Sequence, residues 1–307
     1  WSTHVPRKNE ITWNDDLKYT GIPSFAFRGV YPYFGADSAL RHRFYARNRQ
    51  NHFHDEIFRS GEAWDRGVGP VIGSPRSCHT FYSYTQNWDQ SREHLFSWSA
   101  REQKHLRATS AYGPGQVCLS NPETARVFAM QLRQYIQADI QSFGDIMSPE
   151  IYSIAPNDNI SYCECEKCSA GLLQYGGQVG LLLQFVNTLA QNIEQEYPRI
   201  KLMTTAYVST KDLPKEIVPD KNVLIQIALL GSEFSGERRD THRPYTHPAN
   251  RESADIIRKW QKITPIAVWD YWGLNLDRGR YPATNTVNLT ESLHFYKKNN
   301  VQFVFAE

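Results

Sequence analysis

The 307-residue sequence predicts an α/β fold, a (β/α)8 barrel of the TIM type that lacks its last helix within this chain. Two observations carry the prediction. Short apolar runs alternate with amphipathic helical segments, as in a parallel sheet covered on both faces. The runs number eight, the count that closes such a barrel. A doubly wound open sheet is the alternative, but no Gly-x-Gly-x-x-Gly follows the first run and no phosphate-binding loop motif occurs.

The elements follow in order. Residues 1–24 are polar and aromatic without a period and end in Gly21-Ile22-Pro23, an entry segment ahead of a barrel over 25–307. The first strand is 24–30. A helix over 37–48 takes Asp37 or Ser38 as its cap, and 48–54 is a second, weakly signalled strand. Residues 55–115, rich in Gly, Ser, Tyr and Trp, form a long insertion of the kind that is usually functional. Residues 116–119 are a short apolar run. Ser120-Asn121-Pro122-Glu123 is a capping box, and Val127, Phe128, Leu132, Tyr135 and Ile136 then line one helix face. Residues 150–155 are the fourth strand. Leu182, Phe185, Val186, Leu189 and Ile193 mark a helix that Pro198 stops. Runs 200–207 and 223–230 are too short for helices and rich in Ile, Val and Thr. A helix over 253–263, a strand over 266–272, a helix over 289–299 and a strand over 301–306 complete the count.

Composition narrows the function. Thirty-four Lys and Arg against thirty-two Asp and Glu leave a net charge of +2. That balance points away from nucleic acid and from electrostatic docking to a membrane. No apolar run reaches the roughly 18 residues of a membrane helix. Aromatics are 13% of the chain; most belong to packing, and the rest suit stacking on sugar faces. Five cysteines are an odd number, so this is not a disulfide scaffold. A chain that opens at Trp1 and stops at Glu307 in an apolar stretch reads as a fragment or a processed piece.

In a barrel of this kind the active site lies at the C-terminal strand ends. There the sequence offers Arg28, His52, His54, Asn157, Asp158, Tyr207, Trp269, Asp270, Tyr271, Trp272 and Glu307, with His79 in the insertion. Asn157-Asp158 is the most informative pair. Glycosidic cleavage needs a proton donor beside the leaving oxygen and a group that attacks or stabilises the anomeric carbon. Both residues also favour turns, the plainer reading. Trp269, Tyr271 and Trp272 around Asp270 form either a packed corner or a sugar platform, and Tyr207 can donate to an acetamide. Cys163, Cys165 and Cys168, spaced C-x-C-x2-C, offer three thiolates for one structural zinc. The fourth ligand would be Cys118, Cys78, a histidine or a carboxylate; a local disulfide plus one free thiol is the alternative. His52 and His54 share a strand face. They admit a rival reading, a metal-dependent hydrolase; a catalytically silent glycan-binding barrel is another.

Five stretches occur in a characteristic order: Pro23–Gly29, Cys78–Phe81, Val117–Glu123, Ala155–Asn159 with Tyr162–Cys168, and the closing residues 301–307. Together they resemble the domain-of-unknown-function family 4838. Part of that family is classified as glycoside hydrolase family 163, endo-β-N-acetylglucosaminidases acting on N-glycans, and it looks related to the family 20 hexosaminidase barrels. The resemblance covers about 23–307. It implies a (β/α)8 glycosidase whose substrate is an oligosaccharide or glycoprotein glycan, with no organic cofactor; the amide beside Asp158, with no second carboxylate adjacent, suggests a retaining, substrate-assisted reaction. It further implies Arg28 on sugar hydroxyls, Asn157 orienting an acetamide and Asp158 donating the proton. Asn157-Asp158 departs from the Asp-Glu pair of family 20. The resemblance also implies a bacterial, periplasmic or extracellular protein.

Overall fold

The computed structural model describes residues 16, 18, 21–30, 48–51, 71–146, 148–230, 239–272 and 286–306. Within them the strands are β1 (Phe27–Val30), β2 (Ser97–Ser99), β3 (Lys104–Leu106), β4 (Ile151–Ser153), β5 (Lys201–Ala206), β6 (Val223–Ala228), β7 (Ile266–Asp270) and β8 (Val301–Ala306). The α-helices are α1 (Phe81–Thr85), α2 (Pro122–Phe143), α3 (Glu166–Tyr175), α4 (Gln178–Ile193), α5 (Arg251–Trp260) and α6 (Thr286–Lys298).

Six strands form one parallel sheet in the order β1-β8-β7-β6-β5-β4. The first strand therefore lies beside the last, with Phe27 opposite Phe303 and Val30 opposite Ala306. That adjacency curls the sheet into a partial barrel, because an open doubly wound sheet keeps those strands apart. Alternation sorts the side chains. Phe27, Met203, Leu224, Ala267, Trp269, Phe303 and Phe305 share the interior. Leu202, Ile225, Ile227, Val268 and Val304 face outward into the layer under the helices.

One predicted strand moves. Residues 116–119 do not join the parallel sheet; Val117 makes an antiparallel bridge to Phe96 instead. On its edge away from β5, β4 has Ile72 as its parallel neighbour, opposite Ile151, with the Gly73 amide donating to the Ile151 carbonyl at 2.7 Å. The third position of the barrel is thus taken from the stretch read as insertion. β2 and β3 form a separate antiparallel pair in the same stretch. The expected helix over 37–48, but for Asn48, and residues 52–54 of the expected second strand lie outside the described residues. Arg49 and Asn51 reach β1: the Asn51 amide donates to the Arg28 carbonyl at 2.9 Å, and Arg28 Nε donates to the Arg49 carbonyl at 2.8 Å.

α2 starts where the capping signal put it, but the cap is Asn121, whose side chain accepts the Glu123 amide at 3.0 Å. Ser120 turns its hydroxyl to Cys168 instead. The helix ends at Gly144, where a φ of 78° suits glycine. Phe128 of α2 is the hub of an aromatic layer. Tyr84 stacks on it at 4.9 Å, and Phe81, Phe185 and Trp88 meet it edge-on. Part of the aromatic excess is therefore core packing. Among the described residues no helix is long and apolar enough to cross a membrane.

Candidate functional site

Past β4 the chain runs through buried Ile154 and Ala155 to Asn157 and Asp158. The facing loop is locked to this extension. The Thr80 and Phe81 amides both donate to the Ala155 carbonyl at 3.1 Å, and the Ala155 amide donates to the Thr80 hydroxyl at 2.9 Å. This lock sets His79 opposite Asp158, with Nε2 3.9 Å from a carboxyl oxygen. His79 Nδ1 lies 2.8 Å from the Pro156 carbonyl. A carbonyl only accepts, so Nδ1 carries the hydrogen and Nε2 is the atom that exchanges a proton. The Asp158 side chain is about a third exposed.

His79, Asp158, Tyr162, Tyr207 and Ser209 line one cleft. The cavity at its base is about 20 Å³, room for a single water. Tyr207 lies 6.1 Å from His79, ring to ring, and exposed Tyr112 lies 6.3 Å from it on the other side. Burial raises the pKa of the Tyr162 phenol, Ser209 opposes that, and the Asp158 charge adds to it. Val208, next to Tyr207, has a φ of 49°. That is a strained value for a β-branched residue, and such strain clusters at functional sites. Tyr112, Tyr162, Ser209 and Val208 were missed in the sequence as site residues. Only Tyr162, four residues past Asp158, carried a usable signal.

The neighbouring Asn157 does something else. Its side-chain oxygen accepts the Tyr82 amide at 2.8 Å and its nitrogen donates to the Gly115 carbonyl at 3.1 Å. Only 3% of the residue is exposed. Both polar atoms are occupied by backbone, so Asn157 pins the loop rather than facing the cleft.

Five other expected residues do not line this cleft. Arg28 donates to the carbonyls of Phe25 and Arg49 and lines a groove with Gln261, Lys297 and Gln302, at strand starts rather than strand ends. Asp270 is fully buried. It accepts from Arg239 at 3.3 Å, from the Trp272 indole at 2.8 Å and from the Tyr296 hydroxyl. Trp272 thereby serves Asp270. Of the two arrangements the sequence offered here, the structure has the packed corner. Trp269 and Tyr271 are buried in the barrel interior, Trp269 against Phe305 at 4.2 Å. His52, His54 and Glu307 lie outside the described residues.

The three predicted cysteines find a fourth. Cys118, Cys163, Cys165 and Cys168 bring their sulfurs within 4.8 Å of one another. Cys118 lies 3.7 Å from Cys165 and from Cys168. No disulfide is formed, since that bond needs about 2.05 Å. The Trp98 amide donates to Cys163 at 3.3 Å and the Ser120 hydroxyl to Cys168 at 3.2 Å. Hydrogen bonds from its neighbours pull the Cys168 thiol down to about 2, and the same contacts push Cys118 well up. Four such sulfurs can bind a metal such as zinc.

The family model described as "Domain of unknown function (DUF4838)" matches residues 1–307, and the chain belongs to that family. No curated protein matches the chain. Among solved structures it resembles Gan42B, a GH42 beta-galactosidase, with a TM-score of 0.50 and 10% identity over 92% of this chain and 51% of that one. A catalytic mutant of Gan42B from G. stearothermophilus gives 0.52 and 9% over the same shares. Endo-glycoceramidase II from Rhodococcus sp. gives 0.36 and 12% over 61% of this chain and 41% of that one. The chain thus spans about half the length of Gan42B. The likeness to Gan42B shows a TIM-barrel fold.

Proposed function

We propose that this member of the DUF4838 family is a glycoside hydrolase of the retaining, substrate-assisted kind, acting on N-acetylglucosamine-containing glycans as an endo-β-N-acetylglucosaminidase does. The observation that carries the reading is Asp158: a half-buried carboxyl at the end of a barrel strand, across a narrow cleft from a histidine whose tautomer is fixed. The resemblance to glycosidase barrels supports a carbohydrate substrate, and the family resemblance supports an exported protein.

Asp158 in its protonated form gives its proton to the glycosidic oxygen as the bond to the anomeric carbon breaks. The 2-acetamido oxygen of the same sugar attacks that carbon. Tyr207 donates a hydrogen bond to hold the acetamide, the task from which Asn157 is withdrawn. A water then attacks from the vacated side and gives its proton to Asp158, and the acetamide carbonyl re-forms. His79 Nε2 faces Asp158 throughout, 3.9 Å from its carboxyl. Among the described residues lining the cleft, Asp158 is the one carboxylate. A two-carboxylate enzyme would need a partner about 5–9.5 Å away. A structural zinc among the four cysteines and no organic cofactor complete the proposal.

The test is incubation with a panel of N-glycans and with 2-acetamido and 2-hydroxy nitrophenyl glycosides, products read by mass spectrometry. Cleavage beside an N-acetylglucosamine, inhibition by a thiazoline analogue and no turnover of the 2-hydroxy sugar are expected. Equal cleavage of the 2-hydroxy sugar, or a trapped glycosyl ester, overturns the acetamide mechanism. Binding without turnover across the panel overturns the enzyme.

A further inference from the structure

The loop that carries Asp158 is held against the segment 95–119 from two ends. At the near end stands Gln116. Its side-chain oxygen accepts the Asn157 amide at 3.0 Å, and its nitrogen donates to the carbonyls of Asn157 at 2.8 Å and Asn159 at 3.0 Å. The Asp158 amide itself donates to the Ala111 carbonyl at 2.7 Å. At the far end stand the cysteines. Cys118 is two residues past Gln116, and Cys163 is five past Asp158. Between the ends the Glu164 amide donates to the Trp98 carbonyl at 2.8 Å. Nothing covalent joins the two segments.

The sulfur spacing suits one ion. A tetrahedral site with zinc–sulfur bonds of about 2.3 Å places its sulfurs about 3.8 Å apart. Cys118 meets Cys165 and Cys168 at 3.7 Å. Three of the four sulfurs are buried. The donors at Trp98 and Ser120 point at sulfur, as donors do around a metal thiolate. Cys118 comes from one segment and the other three from the other, so an ion here is bonded to both.

We infer that a zinc ion held by Cys118, Cys163, Cys165 and Cys168 is the clamp that fastens the Asp158 loop to the segment 95–119. Each thiol releases its proton to solvent as its sulfur binds. Without the ion, four close sulfurs are held by weak contacts alone, and hydrogen bonds such as those of Gln116, Asp158 and Glu164 are left to bear the junction. The ion touches no substrate; it positions Asp158 through the loop. The catalytic consequence rests on the glycosidase reading above, but the clamp itself does not.

The experiment therefore reads metal and loop separately from activity. Protein purified without chelator should carry about one zinc per chain. Replacement by cobalt should give the intense thiolate-to-cobalt absorption of a tetrahedral sulfur site. Removing the metal should raise hydrogen exchange at the Asp158, Glu164 and Cys118 amides by about tenfold or more, while the amides of β5 to β8 keep their protection. Cys165→Ala, at the least buried ligand, should lose zinc and show the same local opening. Cys165→His, which restores a ligand, should regain both. A protein without zinc that gives no cobalt band refutes the site. A zinc-loaded protein whose loop exchange is unchanged by chelation refutes the clamp. Failure to cleave any glycan would leave both readouts standing and would count against the glycosidase reading alone.

Discussion

Asp158 and Asn157 are adjacent, yet their surroundings divide them. One faces a cleft and the other faces backbone, and substitutions should separate these roles. Asp158→Asn keeps size and shape, and it should lower turnover by about 10²–10⁴-fold with an unchanged melting temperature. Activity near the unsubstituted level on a substrate with a poor leaving group would remove it from the acid role. Asn157→Ala strips the Tyr82 amide of its acceptor, while the Gly115 carbonyl keeps the Asn159 side chain as a donor. Each buried group left unpaired costs about 1–3 kcal/mol, so the loss should appear in thermal or urea unfolding. A rise in KM with no change in stability would return Asn157 to the substrate. The sequence showed that this pair mattered, because an apolar run led straight into it. It did not show which member faces inward, because that depends on Tyr82 and Gly115, 75 and 42 residues away.

At the scale of elements, the strands with several consecutive apolar residues were legible. β5, β6, β7 and β8 appear where the runs are, since burial on both faces leaves few polar positions. The third position was not legible. Ile72 enters the sheet through one bridge, between Val71 and Gly73, and the run at 116–119 is apolar because it packs on Phe96. β7 also misled. Its terminal Asp270 reads as a ligand at a strand end, but segment 239–250 folds over it and supplies Arg239, which lies 3.9 Å over the Tyr245 ring. Arg239 and Asp270 both have side chains 0% exposed. Removing one member of such a pair strands the other charge, at about 3–5 kcal/mol. Asp270→Ala should therefore cost stability of that order, read by chemical denaturation. An unchanged unfolding midpoint with a raised KM would restore the sugar-binding reading.

Across the whole molecule the layer outside the barrel is tied together by buried phenols, and this sets how the fold responds to alkali. Tyr84 and Tyr152 sit between α2 and β4, and Tyr245 and Tyr296 around the Arg239–Asp270 pair. Burial is the leading cause that raises all four pKa values above the ordinary 10.0, Tyr245 to about 12 and the rest further. The Asp139 carboxylate adds to the rise at Tyr84 and Tyr152, and Asp270 does so at Tyr245 and Tyr296. In the unfolded chain these phenols ionise near 10; in the folded chain they keep their protons. Above pH 10 the unfolded state thus binds fewer protons, and stability falls as pH rises. The contribution is complete below pH 10 and is lost through the range where the folded phenols would titrate. Each phenol can remove up to about 1.4 kcal/mol per pH unit there, so four acting together outweigh a typical domain stability of about 5–15 kcal/mol within a few units. Tyrosinate absorbance for these four should therefore rise together with loss of the far-ultraviolet signal, in one cooperative step. A single substitution, Tyr296→Phe, should shift that step to higher pH if the lost hydrogen bond to Asp270 is the smaller effect. Smooth titration of all seventeen tyrosines near pH 10 in a protein that stays folded would show that these phenols are not buried as described.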